Sequence, residues 1–100
     1  ETFSIVEEVG SPAVKVLYDI YHQQITEGNL VPTIRKHLPL IGHFHAADVP
    51  GRNEPGGGEI NYRFVFSEIE RLGYDGYVGL EYSPTMPSEQ SIKRVMECVN

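Results

Sequence analysis

The chain is predicted to be α/β, built from three βα units of a parallel (β/α)8 barrel. Three observations lead there. Helical and strand patterns alternate as α-β-α-β-α-β-α, with strands about 30 residues apart, the spacing of βα units. The apolar runs that read as strands are near-continuous, which suits parallel strands covered on both faces. The runs also carry or end on Asp19, His45 and Glu81, where barrel strands present their functional side chains. Three parallel strands alone leave two open edges, and a complete barrel takes eight units and about 250 residues. Residues 1–100 are therefore expected to be the C-terminal portion of one barrel domain.

The elements follow in order. Residues 1–9 read as the middle of an amphipathic helix. Gly10 fits the position just past its end, and Ser11-Pro12 prevents continuation. The run Ala13 to Tyr18 makes the first strand, closed by Asp19 and His22. A loop is expected to carry His22 to Gly28. Asn29 then caps a helix that tolerates Pro32 in its first turn and ends at Pro39. Leu40 to Ala47 is the second strand. A polar loop rich in Gly and Pro runs from Asp48 to Ile60, of the kind that covers substrates. Tyr62, Val65, Phe66, Ile69 and Leu72 repeat at helical spacing after an Asn61 cap, and Gly73 stops that helix. Tyr77 to Glu81 is the third strand. Ser88 is expected to cap a last helix striped by Ile92, Val95, Met96 and Val99.

Composition excludes several classes. The net charge is −6, without a basic run. Phosphate backbones are neutralised by clustered Lys and Arg, so no nucleic-acid partner is expected. No stretch of about 18 apolar residues exists, so no membrane span is expected. Cys98 is the single cysteine, which rules out an intrachain disulfide and points to the reducing cytoplasm. A homo-oligomer is expected.

Residues two apart on a strand share a face. His43 and His45 therefore point the same way, as do Leu17 and Asp19, and as do Tyr77, Gly79 and Glu81, with Gly79 leaving space beneath Glu81. Each polar residue has an ordinary reading: Asp19 as a turn former, His45 as a hydrogen-bonded core histidine, Glu81 as a rim ion-pair partner. Together, Asp19, His45 and Glu81 also suit a divalent metal with oxygen and nitrogen ligands. Arg52, in the loop after the second strand, is either a solvated side chain or a planar fork for a substrate carboxylate. Gly56-Gly57-Gly58 lacks the Gly-Lys-Ser/Thr that a phosphate loop needs. His37, between Arg35-Lys36 and Leu38, reads as a surface histidine, and nothing in the sequence activates Cys98.

The segment from Gly42 to Gly56, Gly-His-Phe-His-Ala-Ala-Asp-Val-Pro-Gly-Arg-Asn-Glu-Pro-Gly, resembles hydroxypyruvate isomerases. So do Gly58 to Tyr62 and Gly73 to Tyr82, and Asp19-Ile20-Tyr21-His22 looks like the Asp-x-x-His step of the same group. More widely, the chain is similar to xylose-isomerase-like barrels, which include ketose 3-epimerases and endonuclease IV. The resemblance implies Asp19, His45 and Glu81 as ligands of a divalent ion (Mg, Mn, Co or Zn). It implies Glu81 as one of two proton-transferring glutamates, His22 as a contact to a substrate oxygen, and Arg52 as the arginine of the substrate loop. The other glutamate would come from an earlier strand. The implied activity is isomerisation of hydroxypyruvate to tartronate semialdehyde, with a small hydroxy-keto acid or sugar as partner. One departure bears on substrate: the resemblance implies Gln at position 45 for hydroxypyruvate isomerases and His for ketose epimerases. A ketose 3-epimerase or other sugar isomerase is thus the nearest alternative. An endonuclease IV-like enzyme and a non-catalytic barrel relative are more distant ones.

Overall fold

A computed structural model describes residues 2–10 and 15–99. Its elements are α1 (Thr2–Val9), β1 (Val16–Asp19), α2 (Ile20–Thr26), α3 (Leu30–His37), a short 3-10 turn (Leu38–Leu40), β2 (Ile41–Ala46), α4 (Tyr62–Arg71), β3 (Val78–Leu80) and α5 (Ser88–Val99). The strands form one parallel sheet in the order β1-β2-β3. This is the α/β repeat of a (β/α)8 barrel. Among the described residues no helix is long and apolar enough to cross a membrane.

The sheet has two unlike faces. Val16, Tyr18, Ile41, Phe44 and Ala46 are buried against the helices. Phe44 anchors this side, with the rings of Tyr18 and Tyr74 edge-on at 5.7 and 4.9 Å. The other face carries Leu17, His43, His45 and Gly79. It is open: Leu17 on β1 is 54% exposed, and Tyr77, at the opposite edge of the sheet beyond β2, is 82% exposed. An exposed leucine in the middle of a strand marks the side that a closed barrel fills with inward side chains. The rings of His43 and His45 meet edge to face at 5.1 Å on that side, as the two-residue period requires. A Cβ at position 79 would come within 3.0 Å of the His43 ring and 3.2 Å of the His45 ring. Gly79 therefore makes room for these imidazoles.

α4 confirms its apolar stripe, burying Tyr62, Val65 and Ile69. Asn61 caps it through Phe64 N–H at 3.2 Å. At the other end Gly73 is left-handed (φ 85°), and Gly73 and Tyr74 N–H close onto Glu70 and Ile69 carbonyls, which is a Schellman ending. Tyr62 also ties α4 to the sheet. Its hydroxyl donates to the Ala47 carbonyl at 2.8 Å and accepts from Ala47 N–H at 3.1 Å.

Several expectations change. Residues 20–26 are helix, not loop, so His22 lies in the first turn of α2. The strand runs directly into the helix because Asp19, in extended conformation, accepts His22 N–H. Ile20 is fully buried beneath it. Asn29 occupies the cap position of α3 in a left-handed conformation but makes no side-chain cap bond. Pro39 lies within a 3-10 turn that continues α3. Ser88 is the first residue of α5, and Ser91 N–H closes its first turn onto the Pro87 carbonyl. His37 is half-buried and stacks on Phe3 at 4.1 Å, so it is not a free surface histidine. β3 is shorter than expected, yet Tyr77 and Glu81 still join the ladder through Phe44 N–H to Tyr77 O and Glu81 N–H to Ala46 O. The expected strand start at Ala13 and Val14, and the Ser11-Pro12 stop, lie outside the described residues.

Candidate active site at the C-terminal rim of the sheet

Parallel register alone brings two of the site residues together. Asp19 pairs with His45 across β1 and β2, and His45 pairs with Gly79 across β2 and β3. Asp19 divides its carboxylate between two tasks. Oδ1 accepts His22 N–H at 3.1 Å as the cap of α2. Oδ2 faces three side chains: Arg52 Nη2 at 3.6 Å, His22 Nε2 at 3.7 Å and His45 Nδ1 at 4.0 Å. None of these three is a tight bond.

Arg52 arrives from the loop after β2 in a left-handed backbone conformation (φ 58°). Its Nε–H donates to the Glu81 carbonyl at 3.2 Å, and its guanidinium stands 5.1 Å above the Tyr21 ring. Nη1 lies 3.3 Å from His22 Nε2. A guanidinium only donates, so a hydrogen bond here would use a lone pair on His22 Nε2, the same atom that faces Asp19 Oδ2. Asp19, His22, His45 and Arg52 thus form one cluster at the ends of β1 and β2. Glu81 joins it by its backbone carbonyl, and its exposed carboxylate has no hydrogen bond or ion pair among the described residues.

Asp19 and His45 are ligand types for a divalent ion, and their donor atoms face each other. Among the described residues, however, no three His, Cys, Asp or Glu side chains group closely enough to hold a metal. The chain offers a pair of donors, not a finished metal site.

Two carboxylates that shape the rim went unnoticed in the sequence. Asp48 is fully buried. Its Oδ1 accepts the N–H groups of Val49 and Ile60, and its Oδ2 those of Gly56 and Gly58, all at 2.9–3.0 Å. A Cβ at position 58 would collide with the Val49 carbonyl and the Asp48 carboxylate, which explains a glycine there. Glu54 is 2% exposed. It accepts Thr85 N–H at 2.9 Å, the Thr85 hydroxyl, and the Ser91 hydroxyl at 3.0 Å. These bonds, the Thr85 hydroxyl foremost, hold its carboxyl below the ordinary carboxylate range despite burial. The sequence signal was an acidic residue on each side of Val-Pro-Gly-Arg, in a loop otherwise short of apolar anchors. Cys98 is buried, and burial pushes its thiol up, as expected of an inert structural cysteine.

Comparison with known proteins follows the same lines. The xylose isomerase-like TIM barrel family matches residues 1–100. The hydroxypyruvate isomerase of Escherichia coli (strain K12) is 42% identical over 93 residues, covering 93% of this chain and 36% of that protein. The 2-oxo-tetronate isomerase of Cupriavidus necator is 44% identical over 81 residues, covering 81% of this chain and 31% of that one. A crystal structure of an AP endonuclease, family 2, from Brucella melitensis superposes with a TM-score of 0.84 at 42% identity, over 89% of this chain and 34% of that chain. The chain thus spans about a third of the length of the relatives it matches.

Proposed function

The chain belongs to the xylose isomerase-like TIM barrel family, and from that premise we propose that it forms part of an isomerase acting on a small 2-hydroxyketone acid, hydroxypyruvate in the first place. The observation that carries this reading is the cluster at the strand ends: one carboxylate, Asp19, within 4.0 Å of Arg52, His22 and His45. The names of the relatives, hydroxypyruvate and 2-oxo-tetronate isomerase, support the substrate class, since both contain a carboxylate next to a carbonyl.

The chemistry assigned to these residues is a proton shift between adjacent carbons. The C3–H bond of hydroxypyruvate breaks and its proton passes to a carboxylate, for which Glu81 is the candidate in this chain. The electron pair enters an enediolate. A proton then adds at C2, the C3 hydroxyl loses its proton, and the C2 oxygen gains one, giving tartronate semialdehyde. Arg52 binds the substrate carboxylate with its two-pronged fork. His22 meets a substrate oxygen and stabilises the charge that develops there. Arg52 is at present turned onto Asp19 and His22, so an incoming carboxylate would exchange those contacts for its own. A divalent ion (Mg, Mn, Co or Zn), when bound, would polarise the substrate oxygens. Asp19 and His45 are the pair that would face it, with Glu81 on the next strand and further donors from elsewhere in the barrel.

The test is an assay of the full-length protein with hydroxypyruvate, with 2-oxo-tetronate and with a neutral ketose, before and after metal chelation. Turnover of either acid, lost on chelation, supports the proposal. Turnover of the neutral ketose alone would replace it with a sugar epimerase or isomerase, the reading that His45 favours. Turnover unaffected by chelation would remove the ion from the scheme.

A further inference from the structure

We propose that Glu54 is a positioning residue for Arg52: its buried carboxylate sets where the guanidinium stands at the rim. The inference rests on the reading above of Arg52 as the group that binds the substrate carboxylate.

The loop after β2 holds two buried carboxylates, Asp48 and Glu54. Either is costly unless fully hydrogen-bonded, and the Asp48 carboxylate bonds only within the loop, beside a backbone bridge between Asp48 and Asn53 and a bond from Glu59 N–H to the Val49 carbonyl. All four of its partners, Val49, Gly56, Gly58 and Ile60, belong to the loop itself or its end. Glu54 makes none of those bonds. Its partners, Thr85 and Ser91, lie in the segment after β3 and in α5. Asp48 therefore gives the loop its form, and Glu54 fixes that form against the rest of the rim.

The neighbours of Glu54 follow the same direction. Ser83 N–H donates to the Arg52 carbonyl at 2.8 Å, and Asn53 Nδ2 donates to the Ser83 carbonyl at 2.9 Å. Ser91 Oγ has one proton, which it gives to Glu54, so the Tyr82 hydroxyl 3.0 Å away donates to Ser91. Residues 52, 53 and 54 are thus each pegged to the chain between Tyr82 and Ser91. Arg52 stands at the head of that series in a left-handed conformation that a non-glycine residue keeps only when its surroundings hold it. Its side chain ends on Glu81 O, from the same post-β3 segment. Release of the Glu54 peg leaves Arg52 held only by its own bonds to Ser83 and Glu81 and by the Asp48–Asn53 bridge beside it, which loosens its place while the Asp48-bonded loop stays closed.

A double-mutant cycle in the full-length protein decides the matter. Glu54→Gln should raise KM for hydroxypyruvate about tenfold and leave kcat within about twofold, because it loosens binding without touching the reacting carbons. In an Arg52→Ala background the same change should alter KM by less than about twofold. An equal KM rise in both backgrounds, or a fall in kcat at constant KM, would overturn the proposal. Thr85→Val removes one of the three bonds with the carboxylate in place, and serves if Glu54→Gln does not fold. A readout free of turnover is the NMR signal of Arg52 Nε–H, assigned by its loss in Arg52→Ala. It should shift and exchange faster with solvent in Glu54→Gln and in Thr85→Val. An unmoved signal in a folded variant would overturn the proposal. If the protein turns over no hydroxypyruvate, the substrate reading falls, and the NMR signal still decides the role of Glu54.

Discussion

Asp48 and Asp19 stand at the ends of neighbouring strands and differ in how their oxygens are used. Asp48 spends both on four backbone N–H groups and is sealed from water. Asp19 spends one on the cap of α2 and leaves the other facing Arg52, His22 and His45 at 3.6–4.0 Å. A carboxylate saturated by the backbone has no capacity left for a ligand. One that stands near cationic and imidazole groups without closing a tight bond keeps that capacity. Glu54 and Glu81 repeat the contrast, the first buried with three donors from Thr85 and Ser91 and the second with an exposed carboxylate that has none among the described residues. Saturation therefore separates the acidic side chains that build this rim from those that are free to act on it.

The strongest way to break that comparison is Asp48→Ala. Removal of its carboxylate leaves four loop N–H groups without their partner, that of Ile60 buried and those of Val49, Gly56 and Gly58 part-buried, and the full-length protein should lose roughly 3–5 kcal/mol of unfolding free energy. Denaturant titration measures it, and a loss under about 1 kcal/mol would mean that water replaces the carboxylate. Asp19→Asn should do the reverse. Asn caps helices as well as Asp does, so the melting temperature should hold within about 2 °C, while kcat/KM falls roughly a hundredfold or more. A large drop in melting temperature with activity retained would place Asp19 among the structural acids.

Arg52→Ala should raise KM for a carboxylate substrate about tenfold, the scale of one charge-assisted hydrogen-bonded pair, with no change in melting temperature beyond scatter. Unchanged KM together with clear destabilisation would reverse that assignment. The smallest effect belongs to Glu68, an acid saturated by charge outside the rim. It accepts from Arg71 and Arg35 at 2.7–3.0 Å, joining α4 to α3, and these bonds pull its carboxyl down to about 2 from 4.5. A lowered folded-state value means that the contribution is whole above pH 4.5 and is lost as pH falls through 2. Both arginines are half exposed or more, so solvent screening keeps the effect small. Glu68→Gln should flatten the dependence of melting temperature on pH in that acid window and leave it unchanged near neutrality. A slope as steep as wild type would show that other carboxylates carry it.

Much of this architecture is legible in the residues themselves. Near-continuous apolar runs mark the strands, and the stripe Tyr62, Val65, Ile69 with its Asn61 and Gly73 ends marks α4. The period of two along β2 is enough to put His43 and His45 on one face. Parallel βα order then makes Asp19 and His45 neighbours, because both lie at the C-terminal ends of their strands. These features are local or periodic, and short-range sterics and burial determine them. Other features needed the tertiary structure. α2 has few apolar positions and only seven residues, so its existence depends on the Asp19 cap and on the pocket that buries Ile20. The path of the loop from Asp48 to Ile60 against the rim rests on Glu54 meeting Thr85 and Ser91, partners 31 and 37 residues away. No periodicity encodes such a meeting. Whether Arg52 points at solvent or at Asp19 is decided by that path, because a surface arginine and a rim arginine read alike until the loop beneath them is anchored.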